Sequence, residues 1–220
     1  MTDKVRKDEI FTGLASMGQA LGNPYRLKMV SLLSHGEKTV EQLATATGQS
    51  LAAASAHLKV LRGAGLVISD KRGRHVHCRL ASDEVSSLWI ALRDLGEEIR
   101  PDVREAISQV AGDSESLSPL DEKQVWTEVR RGRSLLVDLR PHDEFVTGHL
   151  PKARHLPFDN LAAGARELPS DRDLFVYCRG PFCLMAIEGV RQLRGWDYPA
   201  RRLRFSVPEW KAAGLPIAID

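Results

Sequence analysis

Leu174-Phe175-Val176-Tyr177-Cys178-Arg179-Gly180-Pro181-Phe182-Cys183-Leu184 joins an apolar run to a short loop bracketed by two cysteines, and then opens a helix. The apolar run reads as a buried strand, and Ile187, Val190 and Leu193 recur at helical spacing after the loop. A cysteine at the end of a strand, in a tight loop that starts a helix, is placed for anion and sulfur chemistry. Loop and first-turn N–H groups can point at one centre, and the helix dipole adds positive potential there. Both effects favour thiolate over thiol at Cys178, and the thiolate is the reactive form.

Outward from this stretch, helical and strand-like patterns alternate. A helix is expected over residues 121–131, strands at 134–139 and 174–177, a helix at 184–193 and a strand near 200–203. Such alternation predicts a small α/β domain with a mainly parallel sheet. Ala111-Gly112-Asp113-Ser114-Glu115-Ser116-Leu117-Ser118-Pro119 reads as a linker. The expected organisation is therefore a domain over 1–110, a linker at 111–119 and a second domain over 120–220.

The first half reads as helices and one hairpin. Ile10, Phe11, Leu14, Met17 and Leu21 mark a first helix, and Gly22-Asn23-Pro24 separates it from a second that ends by Gly36. A short helix over 39–46 has Thr39 as N-cap, and Thr47-Gly48-Gln49 is a turn. Ser50 opens a helix through Leu61 with Leu51, Ala54, Leu58 and Leu61 facing inward. Residues 66–69 and 75–80 form a hairpin tipped by Lys71-Arg72-Gly73-Arg74. A long helix carries Val85, Leu88, Trp89, Leu92, Leu95 and Ile99, and Pro101 either kinks it or starts another.

The length of 220 residues leaves room for two ordinary domains, and the formal net charge of +2 says little about partners. Its distribution says more: between Ser50 and Leu80 stand Lys59, Arg62, Lys71, Arg72, Arg74 and Arg79 against one acid, Asp70. That excess suits a phosphate-facing surface, or equally a solvated basic face. No segment is long and apolar enough to span a bilayer, and the charged start Met1-Thr2-Asp3-Lys4 does not read as a secretory signal. The 3 cysteines, an odd count, make no disulfide framework, so a reducing cytoplasm is the expected compartment.

Two short helices joined by a tight turn, followed by a basic-tipped hairpin, predict a winged helix-turn-helix: an all-α type of domain with a β wing. Its second helix would enter the major groove and its wing would touch backbone. The candidate DNA-facing residues are Ser50, Ala53, Ser55, His57 and Lys59 on the helix, with Arg72 and Arg74 on the wing. Leu21-Gly22-Asn23-Pro24-Tyr25-Arg26-Leu27, Ser55-Ala56-His57-Leu58-Lys59-Val60-Leu61 and Gly65-Leu66-Val67 resemble the ArsR-type regulators over about residues 10 to 100. The resemblance implies a homodimer, built on the first and last helices, bound to double-stranded DNA at an inverted-repeat operator. Trp89 and Leu92 are interface candidates, or ordinary core. Many relatives sense metals through cysteines or through acid and His ligands. Here 40–48 has no Cys or His, and the final helix has neither, so no metal site is expected. His75 and His77 share one face of the wing strand and Cys78 the other, which makes a joint metal site awkward.

The second half resembles a single-domain rhodanese over about residues 120 to 218. The stretches that carry it are Val137-Asp138-Leu139-Arg140, Glu144-Phe145, Gly148-His149-Leu150, the Cys178 loop, and Pro208-Glu209-Trp210 before Gly214-Leu215-Pro216. The resemblance implies that Cys178 accepts a sulfane sulfur as a persulfide and passes it to a nucleophile, with Asp138, Arg140, Glu144 and His149 as framework. Arg179, Gly180, Pro181, Phe182 and Cys183 form the anion loop, in which all but Pro181 offer an N–H. Arg179 adds charge for an anionic donor such as thiosulfate or polysulfide. Related phosphatases use a Cys-x5-Arg pattern, but position 184 is Leu, which disfavours that chemistry. Cys183 is either a resolving thiol or a small packing residue. No cofactor is called for.

The sequence thus predicts a transcription regulator, of repressor type, whose rhodanese domain senses or processes reactive sulfur. The competing class is a sulfurtransferase enzyme with an autoregulatory DNA-binding half. A rhodanese fold used only as a binding module is the third.

Overall fold

The computed structural model describes the backbone of residues 3–111 and 114–220 and the side chains of 6–111 and 115–220. Two compact units divide the chain, Met1–Trp89 and Ile90–Asp220. The division falls inside a helix, Asp83–Ile99. The segment expected to be a linker, 111–119, lies within the second unit, and its residues 112 and 113 lie outside those described.

The first unit contains α1 (Asp3–Leu21), α2 (Pro24–Leu33), β1 (Lys38–Thr39), α3 (Val40–Thr47), α4 (Leu51–Gly63), β2 (Val67–Arg72), β3 (His75–Leu80) and the start of α5 (Asp83–Ile99). Asn23 caps α2, its side chain accepting from Tyr25 N and Arg26 N. Thr39 and Gln42 cap α3 reciprocally, and Gly48 ends it in a left-handed conformation (φ 66°) that suits glycine. The strands form an antiparallel sheet in the order β1-β3-β2, with Arg72 opposite His75 at the tip. Lys71 and Arg72 therefore belong to β2, and Gly73-Arg74 alone makes the turn. The two-residue β1 was not legible as a strand.

Met29, Val30, Leu33, Leu43, Ala54, Leu58, Leu61, Leu66 and Cys78 make the core of this unit. One residue of the expected inner face departs: Leu51 is 52% exposed. It lies in the first turn, at the margin of the Ala54, Leu58, Leu61 stripe, where no preceding turn covers it. Trp89 packs against the core, whereas Leu92 remains exposed. On α1, Ile10, Phe11 and Leu14 are also exposed.

The second unit continues with α6 (Pro101–Ala111), α7 (Glu122–Arg130), β4 (Ser134–Asp138), α8 (His142–Thr147), β5 (Arg154–His155), α9 (Leu161–Gly164), β6 (Asp173–Tyr177), α10 (Leu184–Gly195), β7 (Ala200–Arg202) and α11 (Val207–Ala212). Pro101 starts a helix of its own. The sheet is parallel throughout, in the order β5-β4-β6-β7. Alternation along its strands decides the layers. Val137, Leu174 and Val176 pack with Ala186, Val190 and Leu193 of α10. Leu136, Phe175 and Tyr177 pack with Val125 and Val129 of α7 and with Trp210 of α11. Cys178 follows Tyr177 and so turns to the α10 side, at the carboxyl end of β6. That end of a parallel sheet is where α/β folds place their sites. Among the described residues, no helix is long and apolar enough to cross a membrane.

Candidate functional site

The basic face of the first unit is built on α4 and the β2–β3 wing. Ser50 spends its hydroxyl on capping, accepting from Ala53 N at 3.2 Å. Ser55 and Lys59 are exposed, while Ala53 and His57 are half-buried. The His57 ring stacks on Tyr25, with centroids 5.7 Å apart and planes at 29°. Tyr25 was not among the expected site residues; its place just after the Asn23 cap is the signal that sets it against α4.

The wing is less uniformly basic than the sequence suggests. Arg72 is gripped by Glu37, at 2.6 and 2.8 Å, and by Asp70 at 2.6 Å, so its charge is largely answered within the fold. Arg74 stays exposed at the turn and donates to His75 Nε2 at 3.0 Å. Arg62 reaches Ser69 at 2.8 Å. His77 meets Glu37 at 2.9 Å and His75 lies 3.6 Å from Glu41, while Cys78 is buried in the core. Among the described residues, no group of three or more His, Cys, Asp or Glu side chains is arranged to hold a metal ion.

In the second unit, the loop from Cys178 to Cys183 connects β6 to α10. Gly180 has φ of 104°, a conformation that disfavours any other residue. The Cys178 carbonyl accepts from Ser206 Oγ, which ties the end of β6 to the start of α11. Cys178 is 1% exposed and Cys183 is partly exposed.

The two thiols bracket the loop, and each shifts the other's proton affinity, in opposite directions. Donation to Cys183, followed by burial, pushes the Cys178 thiol well above its ordinary value. The hydrogen bond from Cys178 lowers Cys183 to about 6, against the cost of burial. Backbone N–H groups of Arg179, Ala186 and Met185 assist it. Both shifts favour ionisation at Cys183, which is the more exposed of the two and stands at the head of α10. The expected convergence of loop N–H groups differs in detail. The Cys183 N–H closes a turn on Gly180 O at 3.3 Å and Ala186 N–H donates to Cys183 O at 3.1 Å, while the Arg179 N–H of the loop still favours charge on Cys183.

The framework residues pair as a lattice. Asp138 and Arg140 are both fully buried and joined at 2.6 Å, and Arg140 also donates to Gly148 O at 2.8 Å. Burial disfavours the Arg140 charge, but Asp138 holds it above its ordinary value. His149 stacks on Phe145 at 3.8 Å between centroids and bonds Phe145 O at 3.0 Å. Arg179 donates to Glu144 at 2.7, 3.0 and 3.1 Å, and Glu144 is 1% exposed. Arg179, expected to meet an anionic donor, is thus already matched by a buried carboxylate.

Arg202 was missed by the sequence reading. It lies on β7, 1% exposed, and donates to Pro181 O in the loop and to Ala111 O at 3.4 Å. Its Nε has no partner. An arginine in a run of arginines carries no sequence signal of burial.

Comparison with known proteins agrees with both halves. Residues 23–69 match the family described as bacterial regulatory protein, arsR family, and residues 121–213 match the rhodanese-like domain. The chain is 37% identical over 212 residues to the HTH-type transcriptional regulator Rv0324 of Mycobacterium tuberculosis, covering 96% of this chain and 93% of that one. It is 32% identical over 90 residues to a sulfurtransferase of Allochromatium vinosum, covering 38% of this chain and 77% of that protein. A homodimeric winged helix-turn-helix DNA-binding domain from Mycobacterium bovis, solved by NMR, is 35% identical with a TM-score of 0.43, covering 46% of this chain and 93% of that one. The match over nearly the whole of both chains, together with the two family matches, makes this chain an ArsR-family transcription regulator that carries a C-terminal rhodanese-like domain.

Proposed function

We propose that the protein is a homodimeric regulator whose operator affinity responds to reactive sulfur through the Cys178–Cys183 pair. The observation that carries this reading is the pair of cysteines bracketing the loop between β6 and α10, Cys178 buried and Cys183 partly exposed at the helix head, with their proton affinities shifted in opposite directions. A pair sharing one proton has a nucleophile and a base in contact.

Transfer of the Cys178 proton to Cys183 frees the Cys178 thiolate. Its sulfur attacks the outer sulfur of thiosulfate, the sulfur–sulfur bond of the donor breaks, and sulfite leaves with the electron pair. Cys178 then carries a persulfide. Attack of the Cys183 thiolate on the inner sulfur closes a Cys178–Cys183 disulfide and expels hydrosulfide. The two thiols are oxidised and the sulfane sulfur is reduced, so no further oxidant is needed.

Ser50, Ala53, Ser55, His57 and Lys59 offer α4 to the major groove of an inverted-repeat operator, and Arg74 offers the wing to backbone phosphate. Arg72, matched by Glu37 and Asp70, is the weaker wing contact. The exposed Ile10, Phe11 and Leu14 of α1 and Leu88, Leu92, Leu95 and Ile99 of α5 are apolar surface suited to a second copy of the chain.

Similarity to a sulfurtransferase over the second half favours one alternative, an enzyme whose DNA-binding half controls its own gene. One experiment separates them: binding of wild type and Cys178→Ser to promoter DNA of the protein's own gene, with and without a polysulfide donor. A donor response in wild type that is lost in Cys178→Ser supports the sensor. Sulfur transfer to cyanide with donor-independent DNA binding supports the enzyme.

A further inference from the structure

The arginines near the cysteine loop differ in how their charge is answered. Arg179 in the loop has Glu144, Arg140 after β4 has Asp138, and Arg204 on the surface has Glu97 at 2.7 Å. Arg202 from β7 is only 1% exposed, yet no carboxylate meets it among the described residues. Its partners are two carbonyls, Pro181 O and Ala111 O, and Nε has none. A buried cation is costly unless an anion answers it. Pro181 lies two positions before Cys183 in the chain.

We propose that Arg202 is a positioning residue, the counter-ion of the Cys178–Cys183 pair, and that the negative charge of the pair is what answers this buried guanidinium beneath the loop. The inference rests on the reading of the pair as the reactive site and assigns its regulation. Burial and the neighbouring Arg204 both disfavour the Arg202 charge, and Cys183 is the group that opposes them. The other charges near the loop are Asp138 from β4, held by Arg140, Arg179, held by Glu144, and the Arg93–Glu209 ion pair against Gly180. Arg179 faces both thiols as well, but it is already matched by a buried carboxylate, whereas Arg202 is not. When Cys183 attacks a Cys178 persulfide and hydrosulfide departs, the loop loses its anion. Arg202 is then a buried cation with carbonyl partners only, and its hold on Pro181 and on the end of α6 weakens.

The test is the pH dependence of Cys183 alkylation by iodoacetamide in the reduced full-length chain, read by peptide mass spectrometry. Arg202→Gln, which keeps a donor for Pro181 O without the charge, should move the midpoint up by about one unit, a tenfold loss of thiolate below it. Arg202→Lys should leave the midpoint near wild type. An unmoved midpoint in Arg202→Gln, or an equal rise in Arg202→Lys, overturns the proposal. Thermal unfolding gives an independent arm: Arg202→Gln should lower Tm in the wild-type background and lower it less, or raise it, in Cys183→Ser. Equal losses in both backgrounds, or failure to fold in both, also overturn it. Folding of Arg202→Gln only alongside Cys183→Ser supports it. Neither arm uses a sulfur donor or DNA, so failure of the sulfur-sensing reading would leave these outcomes distinct.

Discussion

Glu144 in α8 holds Arg179 of the cysteine loop through both carboxylate oxygens, and only the arginine reaches solvent. The pair fixes the first residue after Cys178 to a different element of the fold. Burial disfavours the Arg179 charge, and Glu144 more than restores it. Removing the carboxylate leaves a partly buried cation unanswered. Glu144→Ala should therefore destabilise the chain by about 3 kcal/mol or more, as for other buried pairs. Urea unfolding of the second unit measures it. Glu188→Ala, which removes an equally close but solvent-exposed partner of Arg191, should leave the midpoint nearly unchanged.

Charge on Cys183 makes its own pH signature. Its value falls from an ordinary 9 to about 6 in the fold. Alkylation of Cys183 by iodoacetamide should thus rise through a midpoint near pH 6, while Cys178 stays protected until alkaline pH. The sign for stability follows from the lowering. The ionised form favours the fold, its contribution is complete above the ordinary thiol value, and it is lost as pH falls through about 6. Cys183→Ser should remove that part of the pH dependence of Tm. Alkylation of Cys178 before Cys183 at neutral pH would contradict the assignment.

Activity separates the two thiols in another way. Cys178→Ser should abolish thiosulfate:cyanide sulfur transfer, since an alcohol cannot replace the thiolate. Cys183→Ser should keep part of it, because cyanide can discharge a Cys178 persulfide without a resolving thiol. If both variants are equally inactive while folded, the base at Cys183 is as necessary as the nucleophile.

On DNA, Arg74→Ala should weaken binding to all sequences and reduce the salt slope by about one unit. Arg72→Ala should change the slope less, because Glu37 and Asp70 already neutralise it. Salt titrations of operator binding decide this. A larger effect at Arg72 would mean that DNA draws it away from Glu37.

A polysulfide donor should lower operator affinity in wild type, a thiol reductant should restore it, and Cys183→Ser should blunt the response. Mass spectrometry of the treated protein should find the Cys178–Cys183 link. A linked peptide with unchanged affinity would make the second unit chemically active but not the sensor.

Much of this protein is local, and was therefore readable from order and spacing alone. The Thr39 cap, the Ala54, Leu58, Leu61 stripe, the apolar run of β6 and the glycine at 180 each depend on neighbours a few residues away. Spacing likewise put Cys178 at a strand end and Cys183 at a helix start. Long-range pairing decided the rest. The match of Glu144 to Arg179, of Glu37 to Arg72, and of Arg202 to Pro181 spans 35, 35 and 21 positions. Each changes what a charge can do, because a cation facing water and a cation facing a buried carboxylate or carbonyl are chemically different groups with the same letter. The two cysteines are likewise told apart only in the folded loop, which buries Cys178 and leaves Cys183 partly exposed at the head of α10.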